Sequence, residues 1–376
     1  MSFRYGSGIN KPGFNPLAAQ TTTYTYELYT WGQNTYGQLG LGNTTSYSSP
    51  KQVGALTTWL VIAGGRYSTA AIKTDGTLWS WGRNEYGQLG DGTTTNRNSP
   101  IQVGALTAWS TISLGTFNST LAVKTDGTLW SWGNNFRGQL GLGNITYYSS
   151  PVQVGALTTW LKVAGGSYFS AAIKTDGTLW TWGLGTSGRL GLGNTSNYSS
   201  PKQVGALTTW SKVNCGVNFV IATTTSGTLY AWGNNQFGQL GDGTATSRSS
   251  PVQVGALTTW LNIACGSYDT RATTSGGALW TWGRNNYGQL GLSNTSYGVS
   301  SPNQVGALTT WSSVTGGVWY TTANKTDGTL WSWGRNNYGQ LGLSNTTDYS
   351  SPKQIGALTA WLIIASGYAT SIALKY

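Results

Sequence analysis

A Trp-Gly pair recurs along the chain at nearly constant spacing, and this repeat constrains the fold more than any other feature. The steps between successive copies are 50, 51, 50, 50, 50 and 51 residues, with the tryptophans at Trp31, Trp81, Trp132, Trp182, Trp232, Trp282 and Trp333. A unit of this length, made of short β-type runs and glycine turns, cannot bury its faces alone. It must pack against its neighbours, as the blades of a propeller do.

Four strands can be assigned within one repeat. Residues 57–65 begin with a β-rich run, and the runs 70–74 and 77–81 flank an Asp-Gly turn that is typical of a hairpin. Residues 50–53 form the fourth strand. We expect a proline to open this strand in each repeat, because proline suits an outer edge that needs no ladder donor. These prolines are Pro50, Pro100, Pro151, Pro201, Pro251, Pro302 and Pro352.

The two ends of the chain complement each other. The last repeat stops at residues 371–376, in the strand before the TDG turn, whereas residues 27–32 supply the strand that should follow. We therefore predict a ring closed by pairing the N-terminal strand with the C-terminal strand. The predicted fold is all-β: a seven-bladed β-propeller of four-stranded antiparallel blades over residues 24–376, preceded by an extended arm, residues 1–23.

The motifs GxLWxWGxNxxGQLG and xxGGxxxxxAIKxDG resemble the regulator of chromosome condensation repeat family, whose fold is a seven-bladed propeller. The resemblance covers residues 24–376, and members of the family serve nucleotide exchange, light sensing and adhesion. The family carries a histidine after the Gly-Gly of each repeat, but this chain has none. The even spacing also leaves no room for the β insertion of the exchange factors. Nineteen of the 20 tryptophans occupy three scaffold positions, so we interpret them as packing residues rather than a light sensor.

The sequence offers no constellation for catalysis. The TDG aspartates are turn residues, because aspartate favours a turn by bonding to its own backbone. Cys215 and Cys265 occupy equivalent places in adjacent repeats, and we expect two small buried thiols without a disulfide. Without histidine or paired carboxylates, the sequence indicates a protein that is not an enzyme and that uses no cofactor or metal.

The charge balance is basic, with 21 Lys and Arg against 10 Asp and Glu. The basic residues are scattered, so we expect non-specific attraction to polyanions but no specific nucleic-acid site. No apolar run reaches the roughly 20 residues of a membrane-spanning helix, and the N-terminus lacks a signal peptide. Neither membrane insertion nor secretion is therefore expected.

One face of the disc is predicted to be a recognition surface. In an up-and-down blade the first and third connections open on one face, and the TDG and GALT turns open on the other. The first connections differ from repeat to repeat and are rich in Tyr, Trp, Arg, Asn and Ser, as antibody-like binding surfaces are. Drift among duplicated blades is the alternative, although drift alone should not favour large aromatic residues. The predicted face comprises Arg66, Tyr67, Ser68, Phe117, Asn118, Tyr168, Phe169, Asn218, Phe219, Tyr268, Asp269, Arg271, Trp319, Tyr320 and Tyr368.

Residues 1–23 lack periodicity yet contain five apolar side chains, which indicates an arm that orders on a partner or on a copy of itself. These side chains are Phe3, Tyr5, Ile9, Phe14 and Leu17. The arm, the low charge and the polar surface resemble, in style, a tailed-bacteriophage virion protein such as a capsid decoration or tail fibre. On this hypothesis the arm binds a capsid or tail protein, and the variable face binds a host-surface glycan or protein. The alternative is a cytoplasmic scaffold for protein–protein interactions.

Overall fold

The computed structural model describes residues 26–376, which form 28 short strands and one 3-10 turn, Thr186–Gly188. The strands build seven four-stranded antiparallel sheets, and each sheet packs against the next around a ring. The predicted seven-bladed propeller is confirmed. Blades 1 to 3 consist of β3 (Trp59–Gly64), β4 (Ser68–Lys73), β5 (Leu78–Gly82), β6 (Arg97–Gln102); β7 (Trp109–Leu114), β8 (Ser119–Lys124), β9 (Leu129–Gly133), β10 (Tyr148–Gln153); and β11 (Trp160–Gly165), β12 (Phe169–Lys174), β13 (Leu179–Gly183), β14 (Tyr198–Gln203).

Blades 4 to 6 repeat this order of strands from the centre of the ring to its rim. They consist of β15 (Trp210–Cys215), β16 (Phe219–Thr224), β17 (Leu229–Gly233), β18 (Arg248–Gln253); β19 (Trp260–Cys265), β20 (Asp269–Thr274), β21 (Leu279–Arg284), β22 (Gly298–Gln304); and β23 (Trp311–Gly316), β24 (Tyr320–Lys325), β25 (Leu330–Gly334), β26 (Tyr349–Gln354).

Blade 7 contains both ends of the described chain. Its two inner strands are β27 (Trp361–Ser366) and β28 (Thr370–Lys375), and its two outer strands are β1 (Glu27–Gly32) and β2 (Tyr47–Gln52). β1 pairs with β28 over its full length, from Glu27 opposite Lys375 to Gly32 opposite Thr370. The predicted closure of the ring is therefore confirmed.

The outer strand of each blade differs from the prediction at its start. β2 begins at Tyr47, three residues before Pro50, because Tyr47 pairs with Gly32 on the neighbouring strand. The register then shifts between Thr30 and Gly32, and Pro50 lies in this irregular stretch. The expectation that the proline opens the strand was wrong, but its place on an unpaired outer edge is confirmed.

A buried tryptophan on the third strand of each blade ties that blade to its neighbour. Trp81 is fully buried and donates its indole N–H to the carbonyl oxygen of Gln38 in the preceding blade at 3.0 Å. Gly40 must be glycine at this contact, because a Cβ there would lie 2.7 Å from the indole nitrogen. The equivalent bond recurs in all seven blades, from Trp31, Trp81, Trp132, Trp182, Trp232, Trp282 and Trp333. The tryptophans are scaffold residues, as predicted.

The TDG turns also behave as predicted. The Asp75 carboxylate accepts hydrogen bonds from the backbone N–H of Thr77 at 2.9 Å and from its hydroxyl at 2.6 Å. In blade 4 the turn residue is Ser226, whose hydroxyl lies 3.1 Å from that of Thr228. The aspartates therefore hold turns.

The inner strands enclose a central cavity of about 110 Å³, and both cysteines line it. Cys215 and Cys265 are free thiols, and burial raises the pKa of each. Among residues 26–376, no group of three or more His, Cys, Asp or Glu residues could hold a metal ion. Within the same range, no helix has the length and apolar character needed to cross a bilayer.

Candidate functional site

The first and third connections of each blade meet on one face of the disc. In blade 1 the backbone N–H of Arg83 donates to the carbonyl oxygen of Tyr67 at 2.8 Å, and Arg284 and Tyr268 make the same bond in blade 5 at 2.9 Å. On the opposite face, the residue that follows each GALT segment bonds to the TDG turn. In blade 1 the backbone N–H of Thr74 donates to the carbonyl oxygen of Thr58 at 2.9 Å. The predicted sorting of connections between the two faces is confirmed.

Seven of the fifteen predicted recognition residues are buried, so their expected surface position was wrong. Most of them are the first residue of the second strand of a blade, where the pleat turns the side chain into the blade interior. The ring of Phe169 packs on Gly166, and a Cβ on that glycine would lie only 2.0 Å from the ring. Asn118 belongs to a connection with one extra residue and has a left-handed backbone, with φ 62°. The buried residues are Ser68, Asn118, Phe169, Phe219, Asp269, Arg271 and Tyr320.

The other eight predicted residues remain partly exposed, and third-connection side chains extend the surface that they form. We call this surface the arginine–aromatic face. The eight are Arg66, Tyr67, Phe117, Tyr168, Asn218, Tyr268, Trp319 and Tyr368. The third connections add Tyr36, Arg83, Arg137, Phe237, Arg284, Tyr287, Tyr297 and Arg335.

Aromatic rings form a continuous chain along half of the arginine–aromatic face. The ring of Tyr36 lies 5.0 Å from that of Tyr67, which lies 5.5 Å from that of Tyr368. Tyr368 then contacts Trp319 at 5.9 Å, and Trp319 contacts Tyr287 at 5.4 Å. Burial raises the pKa of Tyr368, so its hydroxyl stays neutral at physiological pH. The chain crosses the blade that closes the ring.

Arginine side chains stack on these rings. The guanidinium of Arg335 lies 4.5 Å from the centre of the Trp319 ring, and that of Arg66 lies 5.0 to 5.4 Å from the rings of Tyr67, Phe117 and Tyr368. Such stacking holds the planar cation in place while its edge stays available for hydrogen bonds.

A second cluster lies on blade 5 and its neighbour. Phe237 contacts Tyr268 at 5.4 Å and Tyr297 at 5.2 Å, and the guanidinium of Arg284 lies 4.9 Å from the Phe237 ring. Tyr297 is the most exposed large hydrophobic residue in the described chain, at 68%. The same pairing of aromatic residue and arginine is therefore built twice.

The arginine–aromatic face has an excess of cations. Arg83 forms an ion pair with Glu85, whereas Arg66, Arg137 and Arg335 form none with any carboxylate of residues 26–376. The Nε atom of Arg66 is buried and has no hydrogen-bond partner there. A buried donor without an acceptor is costly. An acidic ligand would bind the solvent-facing N–H groups of these arginines.

Sequence analysis missed six residues of this face, five of which belong to motifs that repeat and were assigned to the scaffold. The sequence does contain a signal for this face. In three blades an arginine follows the Trp-Gly pair directly, and it stands 16 positions after the aromatic residue of the first connection. The pairs are Tyr67 with Arg83, Tyr268 with Arg284 and Trp319 with Arg335. The missed residues are Tyr36, Phe237, Arg284, Tyr287, Tyr297 and Arg335.

Asp269 and Arg271 form an ion pair inside the disc rather than on its surface. Both side chains are fully buried, and an Arg271 nitrogen lies 2.5 Å from a carboxylate oxygen of Asp269. The guanidinium also donates to the hydroxyl of Thr321 at 2.5 Å and to the carbonyl oxygen of Tyr320 at 3.0 Å. Burial raises the pKa of Asp269 to about 7, against the attraction of Arg271 and Arg284.

Replacing Asp269 with asparagine is expected to change the pH dependence of stability. The native Asp269 binds its proton more tightly than the unfolded chain, whose carboxyl has a pKa near 3.8. Its contribution to the free energy of unfolding is therefore complete below that value and is lost as the pH rises through about 7. Urea unfolding across this range should show a decline of up to about 4 kcal/mol in the wild type relative to Asp269→Asn. A difference that does not vary with pH would contradict the assignment.

The predicted arm residues Phe3, Tyr5, Ile9, Phe14 and Leu17 lie outside the described residues. Their proposed contacts with a capsid or tail protein therefore stay a prediction.

Four curated proteins match this chain. The ultraviolet-B receptor UVR8 of Arabidopsis thaliana is 33% identical over 131 residues, which are 34% of this chain. The X-linked retinitis pigmentosa GTPase regulator of Canis lupus familiaris is 36% identical over 141 residues, again 34% of this chain. The matched regions cover only 30% and 13% of the lengths of these two relatives.

Solved structures share the whole fold. Human WBSCR16 superposes with a TM-score of 0.84 and 21% identity, over 93% of this chain and 98% of its own. Prp20p of Saccharomyces cerevisiae superposes with a TM-score of 0.82 and 21% identity, over 94% and 92% of the two chains. The sequence profile of the RCC1-like domain matches residues 120–376, and that of the regulator of chromosome condensation (RCC1) repeat matches residues 27–72 and 75–122. The chain therefore belongs to the RCC1 repeat family.

Proposed function

We propose that this protein is a non-enzymatic interaction scaffold whose arginine–aromatic face binds an acidic segment of a protein partner. The observation that carries the proposal is the set of ring-stacked arginines on one face that have no carboxylate partner. Arg66 and Arg335 are the central members of this set. They lie on either side of Tyr368, on neighbouring parts of the aromatic chain.

The chemistry of the face favours a carboxylate-rich ligand. A guanidinium held flat on an aromatic ring directs its N–H groups outward, where they match the two oxygens of a carboxylate. The surrounding half-exposed rings supply rigid contact area at little entropic cost, as in antibody binding sites.

The relatives support this class of function without defining the partner. A solved structure shows yeast RCC1 (Prp20) bound to Kap60, and Prp20p has been studied for its binding to Gsp1p and histones. Both structures share about one fifth of their sequence with this chain. Protein binding is therefore the class of activity that we infer, and the acidic character of the partner is inferred from the chemistry of the arginine–aromatic face.

A position on a phage particle is a second hypothesis, based on the arm and on the composition of the chain. On that hypothesis the same face would bind an acidic glycan of a host surface, with sugar rings stacked on Trp319 and the tyrosines. The experiment below separates the two kinds of ligand.

Loss of the two central arginines is expected to weaken binding of a glutamate-rich peptide. Arg66→Ala together with Arg335→Ala should raise the Kd by roughly a hundredfold or more, because each of the two arginines loses a charge-assisted hydrogen bond that contributes about 1.5–3 kcal/mol. Fluorescence anisotropy of a labelled peptide at constant ionic strength measures this change.

Lys51→Ala with Lys353→Ala is the matched control. These lysines also stack on tyrosine rings, each at 5.4 Å, but on the outer strands. The control removes the same charge, and its Kd should change by less than about twofold. Equal losses in both double variants would mean non-specific charge attraction and would contradict the proposal. Binding of a sulfated oligosaccharide but not of the peptide would replace it with the glycan hypothesis.

A further inference from the structure

Seven leucines, one from each GALT turn, lie on the face opposite the arginine–aromatic face. Their exposed fractions range from 41% to 50%, although leucine is usually buried. All seven turns keep the leucine, whereas the first connections on the other face differ in almost every blade. We call this surface the leucine rim; it comprises Leu56, Leu106, Leu157, Leu207, Leu257, Leu308 and Leu358.

The N-terminal part of the chain enters the propeller at the leucine rim. Tyr26, the first described residue, is 1% exposed and forms a bridge with Thr58. Its backbone N–H donates to the carbonyl oxygen of Thr57 at 2.7 Å. Thr57 belongs to the same GALT turn as Leu56, so Tyr26, where the described chain begins, lies beside a rim leucine, between blades 7 and 1.

The segment is long enough to follow the rim. Twenty-five extended residues span at most about 85 Å, whereas a domain of this length has a radius of gyration of about 20 Å. The apolar side chains of the segment, Phe3, Tyr5, Ile9, Phe14 and Leu17, are spread along it rather than clustered. Successive anchors could therefore reach successive leucines.

The TDG turns of four blades present exposed carboxylates on the rim face. The segment contains Arg4 and Lys11 and has no acidic residue. On the rim face, the lysines before the TDG turns are covered by indole rings, as Lys73 is by Trp79 at 3.7 Å. Hydrogen bonds from threonine hydroxyls lower the pKa of four exposed carboxylates there, at Asp75, Asp126, Asp176 and Asp327. These four carboxylates are therefore ionised at neutral pH and offer acceptors to basic side chains.

We propose that residues 1–25 bind in cis along the leucine rim, with their apolar side chains against the leucines nearest Tyr26 and their basic side chains near the TDG carboxylates. Those leucines are Leu56, Leu106 and Leu358, which precede blades 1, 2 and 7. The segment would cover one face and leave the arginine–aromatic face as the open binding surface. This inference does not depend on the proposed function.

Hydrogen–deuterium exchange of the full chain tests the proposal. In the wild type, the amides of residues 1–25 should exchange more slowly than those of a free peptide of the same sequence. The triple variant Leu56→Gln, Leu106→Gln and Leu358→Gln should accelerate that exchange at least roughly tenfold, because the bound state loses its apolar contacts. All three side chains are about half exposed, so the fold should be retained.

The far side of the rim provides the matched control. Leu207→Gln with Leu257→Gln changes leucines that are each 44% exposed, and this variant should leave the exchange of residues 1–25 unchanged. Wild-type amides that exchange as fast as the free peptide would overturn the proposal. Equal effects of both variants would also overturn it. Protection that disappears on dilution would replace the cis contact with binding to a second copy of the chain.

Discussion

Removing residues 370–376 is expected to prevent the ring from closing and to abolish cooperative folding. These residues form β28, which pairs with β27 on one side and with β1 on the other. Ile372, Ala373 and Leu374 are at most 1% exposed. Burial of the Ile and Leu side chains alone contributes about 3–6 kcal/mol, and the deletion also removes both hydrogen-bond ladders. Domains of ordinary stability have only about 5–15 kcal/mol to lose.

Circular dichroism during thermal unfolding measures the effect. The truncated chain should show a broad, non-cooperative transition, since a repeat structure that has lost its closing blade exposes two sheet edges. Deleting only Tyr376, which is 53% exposed, is the control and should leave the transition intact. A truncated chain that unfolds as cooperatively as the control would show that the paired ends do not hold the ring together.

Replacing Arg271 with alanine is expected to destabilise the protein by about 3–5 kcal/mol at a pH above the pKa of Asp269, because it leaves a buried carboxylate without its counter-charge. Another blade shows how the site can be repaired. Blade 3 has Phe169 and Ala171 at the positions of Asp269 and Arg271. Gly266 of blade 5 corresponds to Gly166, which makes room for the phenylalanine ring.

The double variant Asp269→Phe with Arg271→Ala should therefore recover at least wild-type stability, since well-packed apolar residues often match or exceed a buried ion pair. Arg248→Ala is the control, because its ion pair with Asp242 is partly exposed at the arginine and should contribute at most about 1 kcal/mol. Denaturant unfolding of the three variants gives the free energies. A cost for Arg271→Ala no greater than that for Arg248→Ala would contradict the assigned role of the pair.

The architecture was predictable because it depends on local chemistry that repeats. The Trp-Gly spacing set the number of blades, the Asp75-Gly76 turn identified the central hairpin, and the split repeat at the two ends predicted the closing blade. Each of these features acts within one repeat or between adjacent strands. Duplication repeats the Trp-Gly pair in all seven repeats and the Asp-Gly turn in four of them.

The composition of the candidate face was only half predictable, because surface position depends on where each strand begins. Phe169 and Tyr168 are adjacent in sequence, yet the first is fully buried and the second is half-exposed. Pairing of Phe169 with Gly183 starts the strand at Phe169 and turns its side chain inward. The residue composition of a connection does not show where the following strand begins.

The sequence by itself determined the blade count, the turns, the scaffold tryptophans and the closure of the ring. Only the tertiary structure decided which variable residues face solvent, that Asp269 and Arg271 pair inside the disc, and that Tyr67 contacts Tyr368. Tyr67 and Tyr368 are 301 positions apart in the sequence, and their side chains meet because the propeller closes. Periodicity sets distances along the chain, whereas burial and ring stacking depend on neighbours that the closed ring brings together.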